Sequence, residues 1–152
     1  MSSEMYPRQR RFLGALLRVP SQAIVQEIHN AVVAAGYTDV RQPHMVVFQY
    51  IEREGSRPTE LAERANMTKQ AMGYLLDYLE ERDYVERTPD ADDGRMRIVR
   101  LTARGWGVML AAREAMLKIE AEWGAYLGDE RMDQLIRILQ DLAVMLGEPI
   151  TF

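Results

Sequence analysis

The chain has 152 residues with 47% hydrophobic and 28% charged side chains, which is the balance of a globular protein with a real core. It has no cysteine, which excludes disulfides, thiolate metal sites and cysteine redox sensing. Its net charge of −4 argues against a general nucleic-acid coat protein, but a specific DNA-binding protein needs only a locally basic face. We find no membrane span and no convincing signal peptide, so we expect a cytoplasmic protein.

The N-terminal part of the chain predicts two helices. Apolar residues recur with helical spacing over residues 9–35. Pro20 interrupts this pattern, because proline lacks a backbone donor and disfavours helix in the preceding residue, so we expect a kink or a break there. Gly36 is suited to end the helix. Pro43 is suited to the first turn of a second helix, which we expect to end at residues 54–56.

Residues 57–105 predict a helix-turn-helix followed by a β-hairpin, the wing. Pro58 opens a short helix, and Thr68 is a candidate cap for a second helix that extends to about Arg82. After it, two alternating segments predict strands, and the run Pro-Asp-Ala-Asp-Asp-Gly between them is a dense turn signal. The expected fold class is therefore mainly α with a small β-hairpin, an α+β winged helix-turn-helix.

The N-terminal face of the second helix is the expected reading surface for double-stranded DNA, because a recognition helix enters the major groove by that end. Gln70 has the amide needed to contact adenine, and Lys69 can reach guanine or a phosphate. Gly73 costs helix stability by roughly 1 kcal/mol against alanine, which makes sense if the helix approaches DNA or another backbone closely. The predicted contacts on this helix are Thr68, Lys69, Gln70, Gly73 and Tyr74.

The wing supplies the second predicted DNA contact. Arg95 at its tip is suited to a narrow, A·T-rich minor groove, where the negative potential is deepest. Asp93 beside it is predicted to brace this arginine or to cap the turn. Arg87 and Arg97 on the flanking strands are the remaining predicted contacts.

Two long helices are expected at the C-terminus, over residues 103–127 and from Asp129 onward. Gly128 separates them, and Asp129 is a candidate cap. The last helix carries leucines at gaps of three and four, a heptad-like seam. These helices either pack only within their own chain or also interlace with a second copy, and we favour the homodimer. Its expected interface comprises Phe12, Leu16, Leu135, Leu139, Leu142 and Leu146.

This organisation predicts a helical dimerisation region over residues 1–36 and 103–152, and a DNA-binding domain over residues 37–102. A small-molecule pocket with an apolar floor and a few polar groups is plausible, although the same residues are equally compatible with ordinary core. Its candidate lining is His44, Phe48, Trp106, Met109 and Arg113.

Three other functions are considered. The chain has no Gly-rich phosphate loop, nucleophile elbow or paired-carboxylate signature, so we expect no enzyme and no cofactor. A metal-responsive regulator would need several ligands at one point, whereas His29 and His44 lie on different predicted helices, so no metal site is assigned. A winged helix that serves only protein interaction need not keep Asp93 and Arg95.

Residues 57–105 resemble the MarR family of winged-helix regulators, and the length and flanking helices fit as well. The resemblance is carried by Glu60-Leu61-Ala62, Leu79-Glu80, Tyr84-Val85-Glu86-Arg87, Pro89-Asp90, Asp93-Gly94-Arg95 and Leu101-Thr102-Ala103-Arg104-Gly105. It implies an obligate homodimer, a pseudo-palindromic operator, recognition helices in adjacent major grooves and wings in flanking minor grooves. It also implies repression, with release by a small ligand, often an aromatic acid or a phenolic compound.

The sequence departs from the family pattern at two places. Arg57 stands where a small hydroxyl residue commonly caps the helix, so the helix start is expected to be weaker or to rely on Ser56. Gly73 and Tyr74 stand where many members have a small hydroxyl residue and an arginine, so the operator sequence of better-known members does not carry over.

Overall fold

The computed structural model describes residues 12–147. The predicted start of the first helix, residues 9–11, and the outer ends of the predicted dimerisation region, residues 1–11 and 148–152, lie outside this range. The elements are α1 (Leu13–Ala34), α2 (Met45–Tyr50), α3 (Pro58–Arg64), α4 (Lys69–Glu81), β1 (Val85–Pro89), β2 (Arg97–Leu101), α5 (Ala103–Leu127) and α6 (Asp129–Met145), with a 3₁₀ turn (Gln42–His44) before α2. The predicted fold class, mainly helical with one two-stranded hairpin, is confirmed.

Of the two outcomes expected at Pro20, the break is wrong, because α1 runs without interruption through that residue, and a kink stays a prediction. Proline's fixed φ is compatible with helical geometry, so it costs one hydrogen bond and some crowding at the Leu16 carbonyl. A helix of 22 residues accommodates this loss. At its other end, Gly36 follows the helix with a φ of +99°, the left-handed conformation predicted for a stop.

The chain divides after Arg113 into two compact units. The core of the first unit gathers apolar side chains from α1 to the beginning of α5. On α4 the buried positions Met72, Leu76 and Leu79 follow each other at gaps of four and three, which places them on one side of the helix. They pack with the other buried residues of this core, which include Val32, Val47, Phe48, Leu61, Tyr84, Val85, Val99 and Val108.

The helix-turn-helix comprises α3, α4 and the turn between them. Thr68 caps α4 as predicted, since its hydroxyl accepts from the Ala71 N–H at 3.1 Å. The start of α3 is held differently from the expected reliance on Ser56. The Glu60 carboxylate reaches back and accepts from the Arg57 N–H at 3.0 Å.

The Ser56 hydroxyl instead accepts from the Glu52 N–H at 3.0 Å, so that side chain does not cap α3. The Ser56 backbone exchanges two hydrogen bonds of 2.9 Å with Val99 of β2 and so forms an isolated antiparallel bridge beside the wing. Gly55 makes this approach possible. Its φ is +97°, and a Cβ there would lie 2.8 Å from the Val99 carbonyl oxygen.

The wing is an antiparallel hairpin whose register runs from Val85 opposite Leu101 to Pro89 opposite Arg97. The tip between Pro89 and Arg97 is closed by a hydrogen bond from the Asp90 N–H to the Met96 carbonyl at 2.9 Å. This register fixes which side of each strand faces the core, since Val85 and Val99 are buried.

The second unit consists of the last part of α5 and of α6. Gly128, with a positive φ, occupies the N-cap of α6, and Asp129 is the first helical residue, so the prediction that Asp129 caps this helix is off by one position. None of the α6 residues is buried. No helix within residues 12–147 has the length and apolar character needed to cross a membrane.

Candidate nucleic-acid interface

The N-terminal face of α4 presents polar side chains to solvent. Thr68, Lys69 and Gln70 are all exposed. Tyr74, one turn further along, is 66% exposed, and the Gln70 amide nitrogen donates to its hydroxyl at 3.4 Å. Four of the five predicted reading residues therefore stand together on one open surface.

Gly73 lies on the same face and has no steric reason to be glycine within residues 12–147. Its φ is not positive, and a Cβ built on it would meet no atom within 4 Å. Of the two explanations offered by the sequence, close approach to another backbone of this chain therefore has no support, and close approach to DNA stays a prediction.

The wing tip holds Arg95 outward through its backbone. The Asp93 carboxylate accepts from the Arg95 N–H at 3.1 Å, and the Asp93 carbonyl accepts from the Met96 N–H at 2.9 Å. Asp93 thus caps the turn, the second of its two predicted modes of bracing. Arg95 and Arg97 are both exposed, and neither forms an ion pair with any part of the chain that the structure describes.

The tip of the wing, at Asp90, is tied to the start of α3 by an ion pair that was not predicted from the sequence. The Arg57 guanidinium donates to one oxygen of Asp90 from Nη2 at 2.6 Å and from Nε at 3.1 Å. The other Asp90 oxygen accepts from the Asp92 N–H at 3.0 Å. Hydrogen bonds from the Asp92 backbone and then from Arg57 hold the pKa of Asp90 below its usual value. The arginine at the unusual capping position was the available signal.

Arg87, predicted to contact DNA, lies between β1 and α4 and is bound to two carboxylates. Its Nη2 lies 2.8 Å from Asp77, and its Nη1 forms an ion pair with Glu80. The Arg87 N–H also donates to Glu80 at 3.2 Å. The structure therefore separates the four predicted arginine and lysine contacts into three exposed cations and one paired cation.

A cluster of polar side chains around Asp39 was not predicted from any sequence motif. The Tyr84 hydroxyl donates to the Asp39 carboxylate and accepts from Arg104 at 3.0 Å, while the Tyr78 hydroxyl donates to the Asp39 carbonyl at 2.7 Å. Burial and the hydrogen bond to Asp39 raise the pKa of Tyr84 to about 12. The hydrogen bond from Tyr84 in turn lowers the pKa of Asp39. Tyr78 and Tyr84, from α4 and the start of the wing, are thereby fixed to the loop that follows α1.

The predicted pocket residues differ in exposure, and a common ligand site for them stays a prediction. His44 and Phe48 are buried in the core, whereas Trp106 and Arg113 are exposed and Met109 is half-buried. A shallow, open hollow of about 450 Å³ is lined by Arg53, Glu54 and Trp106, so it includes one of the five.

Both histidines make structural hydrogen bonds. His29 Nε2 donates to the Val40 carbonyl at 3.1 Å, and His44 Nδ1 accepts from the Arg41 N–H at 3.0 Å. The His44 ring also stacks on Tyr78 with centroids 4.0 Å apart. Within residues 12–147, no group of three or more His, Asp or Glu side chains could hold a metal ion.

Comparison with known proteins identifies the family to which the chain is related. Residues 38–96, from the connector before α2 to the wing, match the MarR family. The transcriptional regulator HosA of Escherichia coli O127:H6 (strain E2348/69 / EPEC) is 30% identical over 105 residues, which cover 68% of this chain and 78% of HosA.

Two solved structures share the fold. The transcriptional repressor CouR, bound to a 23-mer DNA duplex, has a TM-score of 0.65 at 22% identity and covers 86% of this chain and 92% of its own. The transcriptional regulator PcaV from Streptomyces coelicolor, in complex with its natural ligand, has a TM-score of 0.63 at 19% identity, with coverages of 88% and 92%. The chain belongs to the MarR family of winged helix-turn-helix proteins and is a DNA-binding transcriptional regulator, not an enzyme.

Proposed function

We propose that the protein is a homodimeric repressor that binds a pseudo-palindromic operator and is released from it by a small molecule. The observation that carries the DNA part is the joint exposure of the α4 face and of Arg95 and Arg97 on the wing. A protein of the same fold, CouR, is bound to a DNA duplex. Residues 37–102 are the proposed DNA-binding domain.

In this proposal Thr68, Lys69, Gln70, Gly73 and Tyr74 face the major groove. The Gln70 amide can pair with adenine, and Lys69 can reach guanine or a phosphate. Arg95 enters the adjacent minor groove, while Arg97 approaches the phosphates beside it. The acidic body of the protein then limits non-specific binding, because most of its surface repels the DNA backbone.

The dimer is supported by apolar surface that each unit leaves open. On the first unit, Phe12 is 84% exposed and Leu16 is 48% exposed. On the second unit, Leu139 and Leu142 of α6 and Leu146 just after it are exposed, and Leu135 is half-buried. Apolar side chains gain free energy when they leave water, so we propose that a second copy of the chain covers them. Residues 1–36 and 103–152 form the proposed dimerisation region.

The experiment that tests the proposal is selection of DNA sites from a random pool by the purified protein, at about 150 mM salt to suppress non-specific binding. Enrichment of an inverted repeat with half-sites one helical turn apart, about 10 base pairs, is the expected result. A dimer that enriches no sequence would contradict the proposal and favour a winged helix that serves a protein partner. Enrichment of a single half-site without symmetry would contradict the dimeric reading alone.

The proposed effector is an aromatic acid or a phenol, bound near the candidate pocket residues. Trp106 is 41% exposed and shares its hollow with Arg53 and Glu54. The indole offers a stacking face, Arg53 offers a cation for the carboxylate of an aromatic acid, and Glu54 offers an acceptor for the hydroxyl of a phenol. Such a ligand would shift the population away from the state whose recognition helices are about 34 Å apart. Trp123→Phe leaves Trp106 as the sole indole, so its fluorescence can report binding of a panel of benzoates and phenols. If no member of the panel changes that signal or the DNA affinity at millimolar concentration, this class of effector is rejected.

A further inference from the structure

The recognition helix α4 is itself acidic, which is unexpected for a helix that approaches phosphates. Its 13 residues include one lysine, Lys69, against three carboxylates, Asp77, Glu80 and Glu81. A carboxylate near the DNA backbone opposes binding through like-charge repulsion. The helix therefore needs a compensating charge from elsewhere in the chain.

Asp77 is the carboxylate that matters most, because it continues the reading stripe. It follows Gln70 by seven residues and Tyr74 by three, and residues with this spacing lie on one side of a helix. It stands roughly 10 Å along the axis from Gln70, within the span of a major-groove contact. Its side chain is 61% exposed, so without a partner its charge would act directly on bound DNA.

Arg87 provides that partner from the first strand of the wing. Its two terminal nitrogens are directed at different carboxylates, Nη2 at Asp77 and Nη1 at Glu80. A further bond from the Arg87 N–H to Glu80, at 3.2 Å, ties the strand itself to the helix. Arg87 is only 21% exposed, less than either carboxylate. Its guanidinium is therefore directed at α4 and away from the solvent side where DNA would lie.

We propose that Arg87 is the internal counter-ion of the recognition helix: it neutralises Asp77 and Glu80 so that α4 can lie against phosphates. Arg87 is then a positioning and charge-masking residue, and its side chain makes no direct DNA contact. This assignment replaces the contact predicted from the sequence, and it rests on the proposed DNA-binding function.

The test is a double-mutant cycle in which Arg87→Ala is made both in the wild-type chain and in the neutralised variant Asp77→Asn/Glu80→Gln. Binding is measured with a labelled mixed-sequence duplex of about 30 base pairs, long enough for two half-sites, at about 50 mM salt where electrostatic binding is strong. A duplex obtained by site selection serves as a second probe. Arg97→Ala in the same two backgrounds is the matched control, because Arg97 is an exposed arginine of the same hairpin. Thermal melting of each variant verifies that it is folded.

With acidic partners present, Arg87→Ala is expected to weaken binding roughly tenfold, since it leaves two unpaired carboxylates beside the phosphates. In the neutralised background the same substitution should change affinity by less than about twofold, because nothing is left to mask. Arg97→Ala should cost the same in both backgrounds. An equal loss for Arg87→Ala in both backgrounds would overturn the counter-ion assignment and restore a direct contact. Failure of the folded wild-type protein to bind either duplex would instead overturn the proposed function, and the inference with it.

Discussion

The reading surface and the terminal helices are both exposed, but their exposed residues have opposite chemistry. On α4 and the wing, solvent meets Lys69, Gln70, Tyr74, Arg95 and Arg97. On α1 and α6 and next to their ends, the exposed residues also include many apolar ones, namely leucines, isoleucines, valines and Phe12. The polar side chains of the first surface can form hydrogen bonds with water or with DNA. The apolar side chains of the second surface are stabilised only when another surface removes them from water.

The comparison shows how one short chain separates two tasks. The exposed polar residues stand on backbone that is held by contacts within one chain, such as the Thr68 cap, the Asp93 turn and the Arg57–Asp90 ion pair. By contrast, none of the apolar residues of α6 is buried. Assembly should therefore be sensitive to single apolar substitutions, while reading should be sensitive to single charges.

The largest effect is expected from Leu142→Asp on α6. An unpaired carboxylate in an apolar interface carries a desolvation cost of several kcal/mol, enough to dissociate a dimer at micromolar concentration. Operator binding should be lost with the dimer, because one chain holds one half-site. Sedimentation measures the oligomeric state. Gln140→Asp is the control, because Gln140 lies on roughly the opposite side of the same helix. A dimeric Leu142→Asp, or a wild type that is a stable monomer, would show that the apolar residues of α6 do not hold two copies together.

Arg95→Ala should come next, with operator affinity reduced roughly tenfold to hundredfold, the range for loss of one groove contact. The dimer should be unaffected, since Arg95 lies at the wing tip. Arg131→Ala, which removes an exposed arginine of α6, controls for total charge. Fluorescence anisotropy at physiological salt measures the affinity. Equal affinity of Arg95→Ala and the wild type would remove the wing from the reading surface.

Gly73→Ala should separate stability from reading by moving them in opposite directions. The methyl group has open space within the chain, and alanine favours a helix by up to about 1 kcal/mol, so the melting temperature should rise. If the helix backbone approaches DNA at this point, affinity should fall several-fold. Gly124→Ala in α5, where the nearest atom is an ordinary 3.9 Å away, should raise stability without that loss. Unchanged DNA affinity for Gly73→Ala would show that DNA does not come close there.

The smallest expected effect concerns the core behind the reading surface. Burial, reinforced by the charges of Arg41 and Arg82, lowers the pKa of His44, so the folded protein keeps this ring neutral. In the unfolded chain the ring binds a proton as the pH falls through about 6.5, so the stability that His44 contributes is present above that pH and lost below it.

Between about pH 7.5 and pH 5.5, the melting temperature should therefore fall more steeply for the wild type than for His44→Gln. His29→Gln, which alters the chain's other histidine, is the control. Parallel pH profiles for the wild type and His44→Gln would show that His44 does not carry this dependence.

Much of the fold could be predicted from the sequence, because helix caps, helix faces and helix lengths depend on residues that are close together in the chain. The Thr68 cap, the apolar side of α4 and the extent of α5 depend on residues within a few turns of each other. Pro20 does not break α1, because a helix interior tolerates one lost hydrogen bond when the residues around it favour helix. The partners of Arg87 and the Asp39–Tyr84–Arg104 cluster could not be predicted, since they join residues of different elements whose relative placement only the fold decides.

The most direct test of the central claim is hydrogen exchange of the wild-type protein with and without a DNA duplex obtained by site selection. DNA is expected to slow amide exchange at the start of α4 and at the wing tip, residues 68–74 and 90–97, and to leave α6 unchanged. Protection confined to α1 and α6, with none on α4 or the wing, would contradict the assignment of the polar surface to DNA and the apolar surface to a second copy.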